Sequence, residues 1–378
     1  MARKSIIAIF ISLGLAAVVG YVFWPDSGRK TSFKDLPLEK VEIPALERNN
    51  TPSQGGSSEI VVQDLDIPWE LTFLPDGSIL VSERPGNLVR LKRDSKEEIT
   101  IVGVAHRGEG GLLGMALHPD FENKKFIYLY LTTSEGNRLS NRVERYVFDP
   151  ERNMLSEKKE IISGIPGAIY HDGGRIAFGP DGFLYVSTGD AGQENLAQNT
   201  GSLAGKILRL KDDGSMPEDN PFGNAIFSYG HRNVQGLAWD NKGGLWATEH
   251  GRSGILSGYD ELNLIEKGKN YGWPEIQGDE TRPRMEKPMA HSGASATWAP
   301  SGAAYRDGSI FFAGLRGEAL YEYVIDKDKL VEHFKGEYGR LRNVVVGPDK
   351  KLYIITNNTD GRGDPKDRDD KIIRLEIP

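Results

Sequence analysis

The sequence predicts an all-β chain, a six-bladed β-propeller carried behind an N-terminal transmembrane or signal helix. Three observations point there: six loose repeats of a strand–turn–strand unit, a turn-rich composition, and an apolar run at the N-terminus.

The repeats begin at Leu71 (LTFLPDGSILVSE) and return at Met115, Arg175, Gly236, Gly302 and Asn343, at intervals of roughly 40 to 66 residues. Each places a Pro-Asp-Gly-like corner between two apolar segments, as in Gly179-Pro180-Asp181-Gly182. Proline presets φ at the first corner, and glycine takes the positive φ of the tight one. The segment after the corner alternates apolar and small or polar residues, as a half-buried strand does. Six such units make six blades, each a four-stranded antiparallel sheet around a channel. The ring must close, because an open blade leaves an unpaired edge. The terminal strand Lys371–Ile377 is expected to pair with Ile60–Val62 for that purpose.

The composition agrees. Among 378 residues there are 45 glycines and no cysteine, so thiol nucleophiles, thiolate metal sites, disulfides and a cysteine-linked lipid anchor are all excluded. The 47 basic residues are scattered among 54 acidic ones, for a net charge of -7. No basic stripe exists to follow a phosphate backbone, so nucleic acid is not an expected partner.

At the N-terminus, Arg3 and Lys4 precede an apolar run from Ile6 to Trp24, near the ~20 residues that span a bilayer as a helix. Residues 1–26 therefore read as a signal-anchor or a cleaved signal peptide, with the body exported to the periplasmic or extracellular face. Residues 27–58, rich in Ser, Gly, Pro and charge, read as a flexible linker. Residues 59–378 are left for the propeller and its catalytic loops.

Several loop segments carry residues suited to chemistry. His118, in Leu-His-Pro-Asp-Phe, reads as a turn-packing residue. His171 lies in Tyr170-His171-Asp172-Gly173-Gly174-Arg175, directly before a repeat strand, where an imidazole can face the channel and act as a base near neutral pH. A purely structural histidine remains the alternative. Asp190, in Ser187-Thr188-Gly189-Asp190, ends the next strand of the same blade and comes within reach of His171 if the two strands pair. A carboxylate on one ring nitrogen fixes the tautomer and stabilises the imidazolium. Arg232 and Asn233 precede the fourth repeat, and Arg340 and Arg342 hold the equivalent place before the sixth. Several guanidiniums aimed into one channel suit an anionic ligand, since unpaired buried cations are costly. The stretch from Thr248 to Asn263 mixes glycine turns with carboxylates, a mixture that suits Ca²⁺ but lacks EF-hand spacing.

In order and spacing, the segments GEGGLLGMALHPDF, HDGGR, STGDAG, GHRNVQGLAW, DELNLI, GKNYGWP, WAPSG and RLRNVVVGPD resemble the pyrroloquinoline quinone (PQQ)-dependent sugar dehydrogenases of the glucose/sorbosone dehydrogenase group. The resemblance runs from about Asp66 to the C-terminus. It implies that His171 is the base for the anomeric hydroxyl of an aldose and Asp190 its orienting partner. It implies that Arg232 polarises the quinone, and that Glu109, Asn233, Arg316, Arg340 and Arg342 also contact the cofactor. Main-chain carbonyls of Gly251 and Arg252 would hold a cofactor-bridging Ca²⁺, and Glu261 and Tyr271 a structural one. Electrons would pass on to an external acceptor, a cytochrome or a quinone. Three positions depart from the family's glucose enzyme: Glu109 stands for a glutamine, Arg316 for a lysine and Arg252 for a proline. The expected product is an aldonolactone. Two rivals remain, a Ca²⁺-dependent lactone hydrolase on the same architecture and a non-enzymatic propeller that binds sugar or protein.

Overall fold

A computed structural model describes residues 56–92, 95–254 and 257–377. The expected N-terminal helix and most of the linker lie outside these residues. Among the described residues no helix is long and apolar enough to cross a membrane, and α-helix is limited to the single turn Phe121–Lys124.

Six four-stranded antiparallel sheets form the body. Their first strands are Pro68–Phe73, Leu112–Leu117, Ile176–Phe178, Val234–Trp239, Pro300–Arg306 and Leu341–Val346. These strands pack against one another between blades and surround the channel. The sixth blade has the order Ser57–Val62, Ile372–Glu376, Leu352–Thr356, Leu341–Val346. Its outermost strand is thus the first among the described residues, with Ile60 opposite Ile373. This is the closure that the sequence predicted. It satisfies an edge that would otherwise expose a row of backbone donors and acceptors.

The repeated corner does what its residues dictate. In the first blade the Leu74 N–H donates to the Ser78 carbonyl at 2.8 Å, Gly77 sits at φ 83°, and Asp76 accepts from the Ser78 hydroxyl at 2.6 Å. His118 accepts from the Asp120 N–H at 2.9 Å in the corresponding turn, as its turn-packing role required.

Apolar clusters lie between adjacent blades and lock the ring. Tyr128, Tyr130 and Val143 of the second blade pack with Val186 and Leu208 of the third. Each such side chain, fully buried, contributes ~1.5–3 kcal/mol relative to its exposed state.

The channel is crossed by a polar layer. The Arg175 guanidinium pairs with Glu70 from the first blade, covers the Trp69 ring at 4.0 Å, and donates from Nε to the Gln235 carbonyl at 2.9 Å. Asn343 of the sixth blade donates to the other Glu70 oxygen. A buried ion pair persists only when further hydrogen bonds surround it, and here two other blades supply them, through Gln235 and Asn343. Toward the corner turns lies a cavity of about 500 Å³, lined by residues such as Leu71, Met115, Ile176 and Val345. It contains none of the predicted catalytic residues. Those lie on the opposite side, in loops that enter the first strands or leave the second ones.

Candidate active site

His171 is brought to the channel by a segment only glycine could build. Gly173 and Gly174 sit at φ 67° and 107°. A Cβ on Gly173 would stand 2.5 Å from the Thr188 Cα, and one on Gly189 would stand 1.8 Å from the His171 carbonyl oxygen. Backbone therefore touches backbone between the two loops, and the side chains of His171 and Asp190 meet above the contact. His171 itself is left-handed, at φ 62°, a conformation that side-chain-bearing residues hold only when neighbours fix it.

Two of those neighbours are main-chain bonds. The Ala191 N–H donates to the His171 carbonyl at 3.2 Å, and the His171 N–H donates to Glu109 Oε2 at 2.9 Å. The ring is fixed by Asp190, whose Oδ1 lies 2.7 Å from Nδ1. The His171 side chain keeps 13% of its surface exposed while Asp190 is sealed at 0%. Nδ1 is therefore committed, and Nε2 is the ring nitrogen left to meet a substrate. Asp190 also accepts from the Gly192 N–H at 2.8 Å and from the Trp273 indole at 2.9 Å.

Arg232 and Asn233 follow on the next blade. The Arg232 N–H donates to Glu249, and Glu249 also engages His231 Nδ1 at 2.8 Å. The opposite nitrogen of His231 lies 2.9 Å from the Ser228 hydroxyl. This row has the partners of a hydrolytic triad, yet Ser228 and His231 are fully buried, so no substrate reaches the hydroxyl. It acts as a brace for Arg232. The Arg232 guanidinium is 5.2 Å from the Trp273 ring and donates to the Ser253 hydroxyl at 2.8 Å, while its Nε has no partner. Burial pulls its pKa down against the opposing pull of Asp190 and Glu249. Asn233 accepts from the Gly173 N–H at 3.0 Å, and its buried Nδ2 has no partner.

The two arginines before the sixth blade are not equivalent. Arg340 is paired with Asp360 at 3.0 Å. Arg342 reaches only neutral acceptors, Gln235 Oε1 at 3.1 Å, Ser301 at 3.3 Å and Asn357 at 3.5 Å, and its Nε has none. Burial first, and then the charges of Arg84, Arg340 and Arg175, push its pKa down despite Asp360. Among the described residues, neither Arg232 nor Arg342 has a carboxylate within ion-pair distance. Such a pair of buried cations is built for an anion that arrives from outside. The structure places Arg316 apart from them: it is exposed at the rim and donates to the Ser257 hydroxyl at 3.1 Å.

Glu109 is placed differently from a simple cofactor contact. Besides holding the His171 N–H, it pairs with Arg362 at 2.8 Å. Burial raises its carboxyl, but the His171 bond and the charges of Arg362 and His250 outweigh this and hold it at about 2. The negative charge at the glutamine-to-glutamate position is thus matched by a cation from the sixth blade. The adjacent Asp172 is pushed up to about 6 by burial; Asn141 donates to one of its oxygens at 2.9 Å.

The two candidate metal positions fit unequally. Glu261 faces Glu249 directly across paired strands, and burial together with that charge drives its carboxyl up to about 8. A cation there would relieve both carboxylates, so this donor set fits Ca²⁺. The Tyr271 hydroxyl is taken by the Leu264 carbonyl at 2.7 Å and the Glu266 N–H at 2.8 Å, leaving only its main-chain carbonyl as a donor. At the other position the Arg252 carbonyl already accepts from the Gly258 N–H at 3.2 Å, so a cation would have to share it. Gly251 is tied through its N–H to Asp260 at 2.9 Å. Among the described residues no group of three or more His, Asp or Glu side chains is set to hold a metal.

Reading the sequence missed three contributors: Trp273, Glu249, and His250, whose buried Nε2 has no partner and whose pKa burial lowers to about 4. All three lie in segments that the motifs did contain (GKNYGWP, and Thr248 to Gly254), but nothing local marks which side chain turns inward.

The model of the "Glucose / Sorbosone dehydrogenase" family matches residues 65–373, all of the ring except the closing strand Ser57–Val62 and the last residues of its partner. The chain belongs to that family. Among its relatives, the aldose sugar dehydrogenase YliI of Escherichia coli is 31% identical over 80% of this chain and 90% of its own length. The quinoprotein glucose dehydrogenase B of Acinetobacter calcoaceticus is 33% identical over 66% of this chain, which spans 57% of that relative. In structure, the PQQ-bound aldose sugar dehydrogenase of Streptomyces coelicolor superposes with a TM-score of 0.78 at 42% identity, covering 86% of this chain and 99% of that one.

Proposed function

We propose that this chain is a PQQ-dependent aldose dehydrogenase that oxidises the C1 hydroxyl of cyclic aldoses to aldonolactones. The observation that carries the reading is the His171–Asp190 pair at 2.7 Å, joined through the Asp190 N–H to the Arg232 carbonyl at 2.8 Å, in a molecule whose Arg232 and Arg342 guanidiniums have no carboxylate partner among the described residues. PQQ bears three carboxylates and two quinone oxygens, all acceptors. The unpartnered buried donors, Arg232 Nε, Arg342 Nε and Asn233 Nδ2, are the complement such a molecule needs.

Arg232, Asn233 and Arg342 would hold the quinone, with Arg340 buried beside them but paired with Asp360 and Arg316 out at the rim. When bound, it supplies the acceptor for the hydride leaving C1. The chain's own residues do the rest. His171 Nε2 takes the C1 hydroxyl proton, a general-base contribution of typically ~10²–10⁴-fold. Asp190 keeps the Nδ1–H tautomer and stabilises the imidazolium. Over Arg232 opens a cavity of about 460 Å³, lined in part by Trp273, Ser253, Glu194 and Glu280. Its polar rim suits a polyol.

The same reading includes Ca²⁺ at Glu261, export behind the N-terminal segment with that segment as membrane anchor, and an external cytochrome or quinone as electron acceptor. The Glu249–Glu261 opposition and the apolar run with its basic flank support the first two.

The test is reconstitution of the purified protein with PQQ and Ca²⁺, followed by dye reduction with a panel of aldoses. Aldose-dependent reduction that requires the quinone is expected. Lactone hydrolysis without quinone, or sugar binding with no redox change, would replace this reading by one of its rivals.

A further inference from the structure

We propose that Trp273 is a positioning residue for the reaction, one side chain that sets the base's carboxylate and the cofactor-facing guanidinium in a common geometry. The inference rests on the reading of the site given above.

The indole Nε1–H donates to Asp190 Oδ2 at 2.9 Å. The other Asp190 oxygen faces His171 at 2.7 Å. The same ring lies 5.2 Å from the Arg232 guanidinium, within the range of a cation–π contact. Asp190 and Arg232 come from different blades. They share one main-chain bond, Asp190 N–H to the Arg232 carbonyl at 2.8 Å, and Trp273 is the side chain that touches both. A carboxylate accepting an indole N–H keeps less of its charge for the imidazole, so this bond sets how strongly Asp190 supports a proton on His171.

The tryptophan's backbone is anchored to the same two loops. Its N–H donates to the Gly230 carbonyl at 2.9 Å, two residues before Arg232. Its carbonyl accepts from Gln198 Nε2 at 2.6 Å, at the end of the turn Glu194–Gln198 that follows Asp190. Gln198 is in turn held by Asn270, with 2.8 and 3.0 Å bonds in both directions. Residue 273 therefore cannot shift without moving both halves of the site. It also lines the cavity over Arg232 and is partly exposed. A residue needed only for packing has no reason to lie at that mouth with its one polar atom spent on Asp190.

Two variants separate the functions. Trp273→Phe keeps a ring near Arg232 and removes the N–H. Trp273→Leu removes both. In the quinone-loaded enzyme, Trp273→Phe is expected to lower kcat roughly tenfold, the scale of one lost bond to a charged group. Sugar KM and quinone Kd should stay within about twofold, and the acid limb of the kcat/KM profile should move up by about half a pH unit. Trp273→Leu should in addition weaken quinone binding roughly three- to tenfold. Independently of turnover, the Trp273 indole N–H resonance of the cofactor-free protein should move in Asp190→Asn while the other described indoles stay in place. Wild-type kcat with an unmoved acid limb in Trp273→Phe, or an indole resonance indifferent to Asp190→Asn, would overturn the proposal. If instead the wild-type protein oxidises no aldose, the functional reading fails and the resonance test still decides whether Trp273 holds Asp190.

Discussion

Replacing Arg342 by methionine should move stability and cofactor affinity in opposite directions. The residue is 6% exposed, its three acceptors are neutral and lie at 3.1 to 3.5 Å, and Nε is bare. A cation held this way keeps a desolvation penalty of several kcal/mol that its weak bonds do not cancel. An apolar side chain of similar length removes that penalty, for a net gain of ~1–3 kcal/mol in the cofactor-free protein. For a ring of this size that is ~2–5 °C in Tm. With quinone present, the lost charge-assisted bond costs ~1.5–3 kcal/mol, so Kd should rise roughly 10- to 100-fold. Thermal unfolding without ligand and a fluorescence titration with PQQ read the two numbers. A lower Tm with unchanged quinone affinity would refute the argument, because Arg342 would then be a brace and not an anion receptor.

His171→Gln should bind quinone normally and lose ~10²–10⁴ in kcat; turnover at the wild-type rate would remove His171 from the chemistry. Glu109 has a folded pKa near 2 against an ordinary 4.5, so its contribution is complete above pH 4.5 and disappears as pH falls through 2. The stability gap between wild type and Glu109→Gln should accordingly shrink on acidification from at most ~3 kcal/mol, as chemical denaturation at pH 6 and pH 3 would show. Calcium should raise the Tm of the wild type, and Glu261→Gln should lose most of that rise. Gly189→Ala drives a methyl group into the His171 carbonyl; it should unfold several degrees earlier and lose activity even where it remains folded.

The ring was readable from the chain because its signals are local. A corner carrying Asp with Pro, Gly or both recurs six times, and the closing strand is apolar enough to be matched with Ile60–Val62. The His171–Asp190 pair was readable for the same reason: the loops entering and leaving adjacent strands of one blade carry them 19 residues apart. Other partnerships cross the ring, and no spacing rule reaches them. Glu109 and Arg362 are 253 residues apart yet bonded. Trp273 meets Asp190 from another blade. The inequality of Arg340 and Arg342 depends on Asp360, a carboxylate whose direction no pattern announces. The exposure of Arg316 likewise follows from where its loop ends.

The sixth blade has a consequence for how the protein is made. Ile60 waits for Ile373, more than 300 residues later, so five blades can be assembled while the circle still gapes. Contacts so distant along the chain form late and slowly, and until they do, two bare strand edges face any neighbouring molecule. Removing the final dozen residues would thus be expected to harm the whole molecule more than a far larger cut in a surface loop.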